Sequence, residues 1–505
     1  MIADHGLGSW PQRRARMEPD AVALIQSERR VTYRELDRRT AALAAALAAR
    51  GVKPGDRVGY LGPNDITTFE TLFATTRLAG IFVPLNTRLA PPEIAYMLDD
   101  CTVSVLVVAP ELETVAADAL ARSKGVGLVL HLADEHYESL LDADTRPPSV
   151  PVELTDPALI LYTSGTTGRP KGAVLSHGNI TWNTLDHFAH LEISRSDISL
   201  CSAPLFHVLG LGQITLPTLF AGGSVVVIPK FDPAAFLKTI AAERATAFPL
   251  APTMLQMLSD HPDWNDTDTS SVRTVACGGS PIPERVAKQW LARDIRLLQG
   301  YGMTEASPGV LMALQYGAQE RPTSVGVPHF FTDTALLTGD GTIVQRPGQG
   351  ELLVAGPNVF SHYWNKPQET ADAFVDGWFR TGDIVRVEDD GWAYVVDRVK
   401  DMFISGGENV YPAEVEAAIG TLEGVLACGV VGVPDERWGE VGLAYIVARD
   451  GLDAAAIRGH LDGVLARYKI PRRFVFVDEL PRNAGGKLLR HRLREQAQQI
   501  KEPSP

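Results

Sequence analysis

Residues 161–172 read LYTSGTTGRPKG and follow an apolar stretch. Thr163, Ser164, Thr166 and Thr167 supply hydroxyl donors, Gly165, Gly168 and Gly172 leave backbone N–H groups open to close approach, and Lys171 adds a mobile positive charge. Those are the parts of a phosphate-holding loop. It is not a Walker loop, which needs Gly directly before the Lys and Ser or Thr after it; here Pro170 precedes Lys171 and Gly172 follows. A second set lies at 300–305, where Gly300, Tyr301, Gly302, Met303, Thr304 and Glu305 bring together an aromatic face, a hydroxyl and a carboxylate. These suit a nucleobase, a phosphate oxygen and a hard divalent cation respectively. Alone, a Glu after a Thr is more often the first turn of a helix. Asp383, in RTGD, offers two carboxylate oxygens to vicinal hydroxyl donors, although an Asp beside a turn glycine is also an ordinary β-turn residue. Lys487 lies in NAGGKLLR, where Gly485 and Gly486 give a loose approach and a long reach.

The order of these pieces carries a resemblance. YTSGTTGRPKG, GYGMTEAS (300–307), GWFRTGD (377–383), DRVKDMFISGGENVYPAEVE (397–416) and PRNAGGKLLR (481–490) are together similar to the motifs of the adenylate-forming enzymes: acyl-CoA synthetases, firefly-type luciferases and peptide-synthetase adenylation domains. The likeness covers nearly the whole chain and is strongest to bacterial fatty-acyl-CoA synthetases of the medium- to long-chain and aromatic type. It implies ATP, Mg²⁺ and coenzyme A as cofactors and co-substrates, and a small-molecule carboxylic acid as partner. Activation as an acyl-adenylate would precede transfer to the thiol.

By that resemblance Thr163, Ser164, Gly165, Thr166, Thr167, Gly168 and Lys171 hold ATP, with Gly279, Ser280 and the Gly300–Met303 run beside the adenine. Thr304 contacts the α-phosphate, Glu305 holds the metal, Asp383 the ribose hydroxyls and Arg398 the nucleotide. Lys487 is the adenylation lysine, whose fixed charge in a water-poor cleft is typically worth about 3 to 4 kcal/mol of barrier. The catalytic set is Lys487, Thr304, Glu305 and His207. The acid pocket is formed by His207, Val208, Gly278, Gly279, Tyr301 and Met303. Gly406, Gly407 and Glu408 shape the pantetheine tunnel, and Lys400 is the hinge. Taken alone, His207 on its apolar stretch reads as an ordinary core histidine.

Substrate class is read from what the pocket segment lacks. Phe206 to Leu209 contain no acid to meet an α-amino group, and Val208 to Gly212 contain no Arg or Lys to meet a second carboxylate. An apolar monocarboxylic acid is therefore expected over an amino acid or malonate. The alternatives are an adenylate-forming enzyme that serves a carrier protein, an amine or another acceptor, a luciferase-like oxygenase and, in a different class, a non-catalytic nucleotide-binding protein.

The elements that must position these residues are legible by periodicity. Thr32 and Glu35 fit a capping box for a helix from Glu35 to Arg50, which Gly51 ends. RVGYL, IFVPL and VSVLVV read as buried strands separated by helices such as Thr67 to Leu78. GGSVVVIP (222–229) is a further strand, and Asp232 caps a helix that opens with Pro233 and runs to Arg244. This alternation predicts α/β layers with largely parallel sheets. From GELLVAG (350–356) to Asp397 the texture is turn-rich, as in a small antiparallel or barrel-like unit. Expected is a large N-terminal adenylation domain, 1–399, carrying that subdomain, and a small mobile α+β domain, 400–505.

At 505 residues the chain exceeds what one core usually serves. A net charge of −14 opposes a phosphodiester partner, so no nucleic acid is expected. Cys101, Cys201, Cys277 and Cys428 lie far apart with no CxxC pair, which argues against zinc and disulfides. No stretch reads as a signal peptide or an integral membrane segment, and a cytoplasmic location is the default.

Overall fold

The computed structural model describes residues 4–133, 135–142, 145–163, 169–278, 282, 284–345, 347–398, 402–449, 451–481, 488 and 490–499. Contacts divide the chain into two compact units. The larger comprises Met1–Thr87, Leu98–Leu161 and Gly172–Asp397; the smaller comprises Arg88–Met97, Tyr162–Lys171 and Arg398–Pro505.

The apolar runs become the central strands of parallel sheets, as strands buried on both faces should. Arg57–Leu61, Ile81–Pro84 and Val103–Val108 pair in parallel within a sheet that also takes in Pro157–Thr163 and Lys171–Ser176. A second sheet runs in parallel through Ser224–Val227, Ile198–Cys201, Ala247–Leu250, Thr274–Cys277 and Arg296–Gly302. Beyond Arg296–Gly302 the pairing turns antiparallel, to Gly309–Met312 and then Val327–Pro328. Helices cover these sheets because their caps and apolar faces fit. Tyr33–Ala49 begins where the Thr32 hydroxyl accepts from Glu35 N, and Gly51 follows at φ +92°. Ile66–Arg77 carries a full capping box from Asp65 and Thr68, and Pro233–Glu243 begins where Asp232 accepts from Ala235 N. Leu24, Leu43, Phe69, Phe73 and Leu159 join one core of this unit, and Phe236, Phe248, Trp264 and Trp290 join another.

The turn-rich stretch is a separate antiparallel sheet. It starts earlier than the sequence texture suggests, at Asp333–Leu337, and continues through Gly348–Ala355 and Trp378–Val387.

In the smaller unit, Phe403–Ser405, Glu408–Val410, Val425–Asp435 and Gly439–Ala448 form an antiparallel sheet with Arg473–Phe476 added in parallel. Helices Pro412–Gly420 and Ala454–Asp462 pack on it through Val415, Ile419, Ile457 and Leu461. Within this unit Lys469, almost fully buried, reaches Glu93 and Glu414 at 2.7 Å each, and Glu93 also accepts from Ala466 N. The α/β class, with a large sheet-rich domain and a small domain built on an antiparallel sheet, is as the sequence predicts.

Candidate active site

Strand Arg296–Gly302 leaves its sheet through Met303 and a single turn, Thr304–Ala306, and the chain returns as Gly309–Met312. Glycine is required at the departure: a Cβ on Gly302 would lie 1.9 Å from Pro308 O, and Met303 N donates to that same carbonyl at 3.0 Å. Three buried carboxamides and hydroxyls hold the turn. Asn358 Nδ2 donates to Gly309 O at 2.7 Å and Ala306 O at 3.2 Å, and Ser307 Oγ donates to Asn358 O at 2.8 Å. Asn183 joins the turn to a neighbouring segment, accepting from Gly309 N at 3.0 Å and donating to Gly212 O at 2.9 Å.

This frame fixes two carboxylates. Glu305 is held at its backbone, where its carbonyl accepts from Phe360 N at 2.8 Å, and at its side chain, where Oε1 accepts from Tyr363 Oη at 2.8 Å. Asp383, 7% exposed, accepts from Tyr301 Oη at 2.6 Å. Asp383 follows Gly382, whose φ of +75° makes the bend, and that bend is pinned by Gly382 N to Glu351 Oε1 and by the Arg380–Glu351 ion pair at 2.6 Å. The Tyr301 hydroxyl thus ties strand Arg296–Gly302 to strand Trp378–Val387 of the antiparallel sheet. Gly278 ends strand Thr274–Cys277 against Gly300: a Cβ there would sit 3.1 Å from Gly300 O, leaving that strand end with no side chain.

His207 stands directly before the short helix Val208–Gly212. Asn64 sets the approach, accepting from Leu205 N and donating to Ala203 O, both at 2.9 Å. The helix is pressed between two backbones. A Cβ on Gly210 would be 2.3 Å from Pro204 O, and one on Gly212 would be 2.5 Å from Ser307 O. Its glycines therefore bring the His207 segment against the turn that carries Glu305.

Residues 11–364 match the model of the AMP-binding enzyme, and residues 414–487 match the AMP-binding enzyme C-terminal domain. The chain belongs to the AMP-binding enzyme family. It is 47% identical to a feruloyl-CoA synthase from Amycolatopsis sp over 98% of this chain and 99% of that protein. It is 42% identical to an indoleacetate–CoA ligase from Aromatoleum aromaticum over 97% and 98%. Among solved structures, a double mutant of o-succinylbenzoate CoA synthetase from Bacillus subtilis bound to its product analogue OSB-NCoA aligns with TM-score 0.87 and 30% identity, covering 96% of this chain and 98% of that one. The adenylate-forming resemblance is therefore correct, and with it ATP-dependent joining of a carboxylic acid to coenzyme A as the reaction class.

Within the larger unit of this AMP-binding enzyme, Gly278, Gly300, Tyr301, Gly302, Met303, Thr304, Glu305 and Asp383 gather around one turn and the strand ends beside it, with His207 and Val208 on the helix packed against it. Thr163 ends one strand and Lys171 begins the next; between them Pro170 O accepts from Tyr96 Oη at 3.2 Å, and the Arg169 guanidinium lies 5.5 Å from the Tyr96 ring centre, all within the smaller unit. Gly406 and Gly407, at φ +59° and +83°, turn a hairpin from Phe403–Ser405 to Glu408–Val410, and buried Glu408 pairs with Arg88 at 2.5 Å. Ser164, Gly165, Thr166, Thr167, Gly168, Gly279, Ser280, Lys400 and Lys487 lie outside the described residues, as does the side chain of Arg398. Sequence reasoning missed Tyr363, Asn358, Asn183 and Asn64. The polar residues of GPNVFSHYW (356–364), standing among apolar ones, were the available signal for the first two.

Among the described residues no group of three His, Cys, Asp or Glu could hold a metal, and no helix is long and apolar enough to cross a membrane.

Proposed function

We propose that this chain activates an aromatic monocarboxylic acid with ATP and Mg²⁺ and passes the acyl group to coenzyme A. The observation that carries the chemistry is the pair of anchored acids, Glu305 on Tyr363 and Asp383 on Tyr301, set around a turn that requires glycine. The Asp383 carboxylate, which accepts from the Tyr301 hydroxyl, takes the ribose hydroxyls. Glu305 is an oxygen donor of the hard type Mg²⁺ prefers and would hold the ion. When bound, the ion offsets charge on the phosphates. Thr163, Lys171 and the loop between them take the phosphates, Thr304 the α-phosphate, and Arg398 the nucleotide. The acid's carboxylate attacks the α-phosphorus, pyrophosphate leaves, and Lys487 offsets the charge that builds between them. The thiolate of coenzyme A then attacks the acyl carbon and AMP leaves. A smaller domain turning at Lys400 would exchange Lys487 for the Gly406–Glu408 hairpin between the two steps.

The aromatic reading is favoured over a fatty acid by the two aryl-acid relatives, whose identities are 47% and 42% across nearly the whole chain. A monoacid is favoured by the apolar, uncharged Val208–Gly212 segment. Pyrophosphate release across cinnamic, indoleacetic, benzoic, fatty and dicarboxylic acids, with and without coenzyme A, tests it. The expected result is the highest kcat/KM for an aromatic monoacid, with coenzyme A converted to thioester. Turnover confined to fatty acids, or acyl product formed only on amines, would overturn it.

A further inference from the structure

Helix Val208–Gly212 has two different faces. Val208 and Leu211 join the large core, whereas Leu209 is partly exposed. The helical turn continues one residue past the helix, with Gln213 N donating to Leu209 O at 3.4 Å. Residues four apart share a helix face, so Gln213 lies behind Leu209 on the side away from that core. It is also the deep end of that side. Gln213 is 4% exposed, and its neighbour Gly212 packs on Ser307 O and Pro308, directly after the turn that carries Glu305.

Among the described residues the Gln213 Oε1 has no hydrogen-bond partner. Asn64 bonds Leu205 N and Ala203 O, and Asn183 bonds Gly309 N and Gly212 O, whereas Asn358 donates to Ala306 O and Gly309 O and, like Gln213, leaves its amide oxygen without a partner among the described residues. A buried amide oxygen left unpaired is costly, and native chains seldom keep one without a use. His207 stands at the other end of the same short helix, so an acid entering beside His207 and Leu209 would bring its far end to Gln213.

We propose that Gln213 is a specificity-determining residue that hydrogen-bonds a donor on the ring of the acid, a phenolic O–H or a ring N–H, at the end remote from the carboxylate. This rests on the reading of the site as one for aromatic monoacids and narrows it to those that carry a ring donor. An acid lacking the donor leaves the Gln213 amide unpaired in the complex and binds more weakly; one with the donor relieves it.

The test compares 4-hydroxycinnamate, 4-methoxycinnamate and cinnamate in the full-length enzyme by pyrophosphate release, in wild type, Gln213→Met and Gln213→Asn. Wild type should favour the hydroxy acid over both others by roughly 10- to 100-fold in kcat/KM. Gln213→Met keeps the volume and removes the amide; it should bring the ratios close to one by slowing the hydroxy acid, with the KM for ATP unchanged and the thermal midpoint equal or higher. Gln213→Asn, with the amide drawn back by one methylene, should give an intermediate ratio. Unchanged ratios in both variants, or a lower midpoint for Gln213→Met with unchanged ratios, would mark the amide as structural and overturn the assignment. Aromatic acids turned over by wild type without regard to the hydroxyl overturn this assignment alone. Turnover of aliphatic acids only overturns it together with the aromatic reading.

Discussion

Replacing Asp383 by Asn isolates what its charge does. Asp383 is 7% exposed and one oxygen is committed to Tyr301 Oη at 2.6 Å. Asn has the same shape, and its carbonyl can still accept from Tyr301, so the bend at Gly382 should survive and stability should change by less than about 1 kcal/mol. What is lost is the charge and one acceptor. The NH₂ that replaces the second oxygen meets ribose hydroxyls as a donor where an acceptor stood. A hydrogen bond to a charged group is worth about 1.5 to 3 kcal/mol, so the KM for ATP should rise roughly 10- to 150-fold, with a smaller change in the KM for the acid. The assay is pyrophosphate release as a function of ATP and of 2′-deoxy-ATP, for wild type and Asp383→Asn. Wild type should lose affinity for the deoxy nucleotide, and the variant should lose much less, because the interaction is already gone. An unchanged KM for ATP, or an equal handicap for 2′-deoxy-ATP in both proteins, refutes the ribose role.

Tyr363→Phe removes the hydroxyl that holds Glu305 Oε1 at 2.8 Å and should raise the Mg²⁺ concentration for half-maximal activity by about 10- to 100-fold; an unchanged Mg²⁺ titration would remove Glu305 from the metal site. Gly302→Ala places a methyl 1.9 Å from Pro308 O, and because backbone stands on both sides the turn must move. Its kcat/KM should fall at least about 100-fold while far-UV circular dichroism is retained, and near-normal turnover would show the turn to be pliable. Lys487→Ala should stop adenylate formation yet leave thioester formation from supplied acyl-adenylate largely intact; adenylate made at the wild-type rate contradicts the assigned role. His187 is buried against His190 and His329, which are displaced in the same direction, and burial pushes it down to about 4. The folded state therefore refuses a proton that the unfolded chain takes below about 6.5, so stability is lost as pH falls through that window. The unfolding free energy of wild type relative to His187→Gln should drop by about 2 kcal/mol between pH 7 and pH 5, and a constant difference would show that His187 titrates normally.

The parts legible in the sequence were those in which chemistry dictates residue type locally. Thr32 and Asp232 cap the helices expected of them because a cap needs a short oxygen-bearing side chain directly before the first turn. Gly302 is legible within its motif, since only glycine fits beside Pro308 O. The supports were not legible. Tyr363 reaches Glu305 across 58 residues and Asn183 reaches Gly309 across 126, and neither distance leaves a periodic trace. Sheet order is hidden for the same reason: Val22–Gln26, near the chain start, lies beside Ser224–Val227. Arg29–Thr32 then finishes that edge.

The difference between legible and hidden residues follows the division of labour in the site. Handling a nucleotide imposes hydroxyls, glycines and carboxylates at fixed spacing, because the ligand is the same in every turnover and each group meets it directly. Choosing an acid imposes no such pattern. Gln213 in sequence is a polar residue after a short apolar helix, and nothing in its type separates it from a solvated helix end. Only its burial, joined to an unpaired Oε1 and to the packing of Gly212 on Ser307, makes it a candidate reader of the substrate. On the Gln213 proposal, specificity is set by a group whose hydrogen bond is missing from the protein alone. It follows that exchanging Gln213 should redirect the acid preference while leaving the ATP chemistry intact, because Asp383, Tyr301, Glu305 and Tyr363 complete their mutual bonds without it.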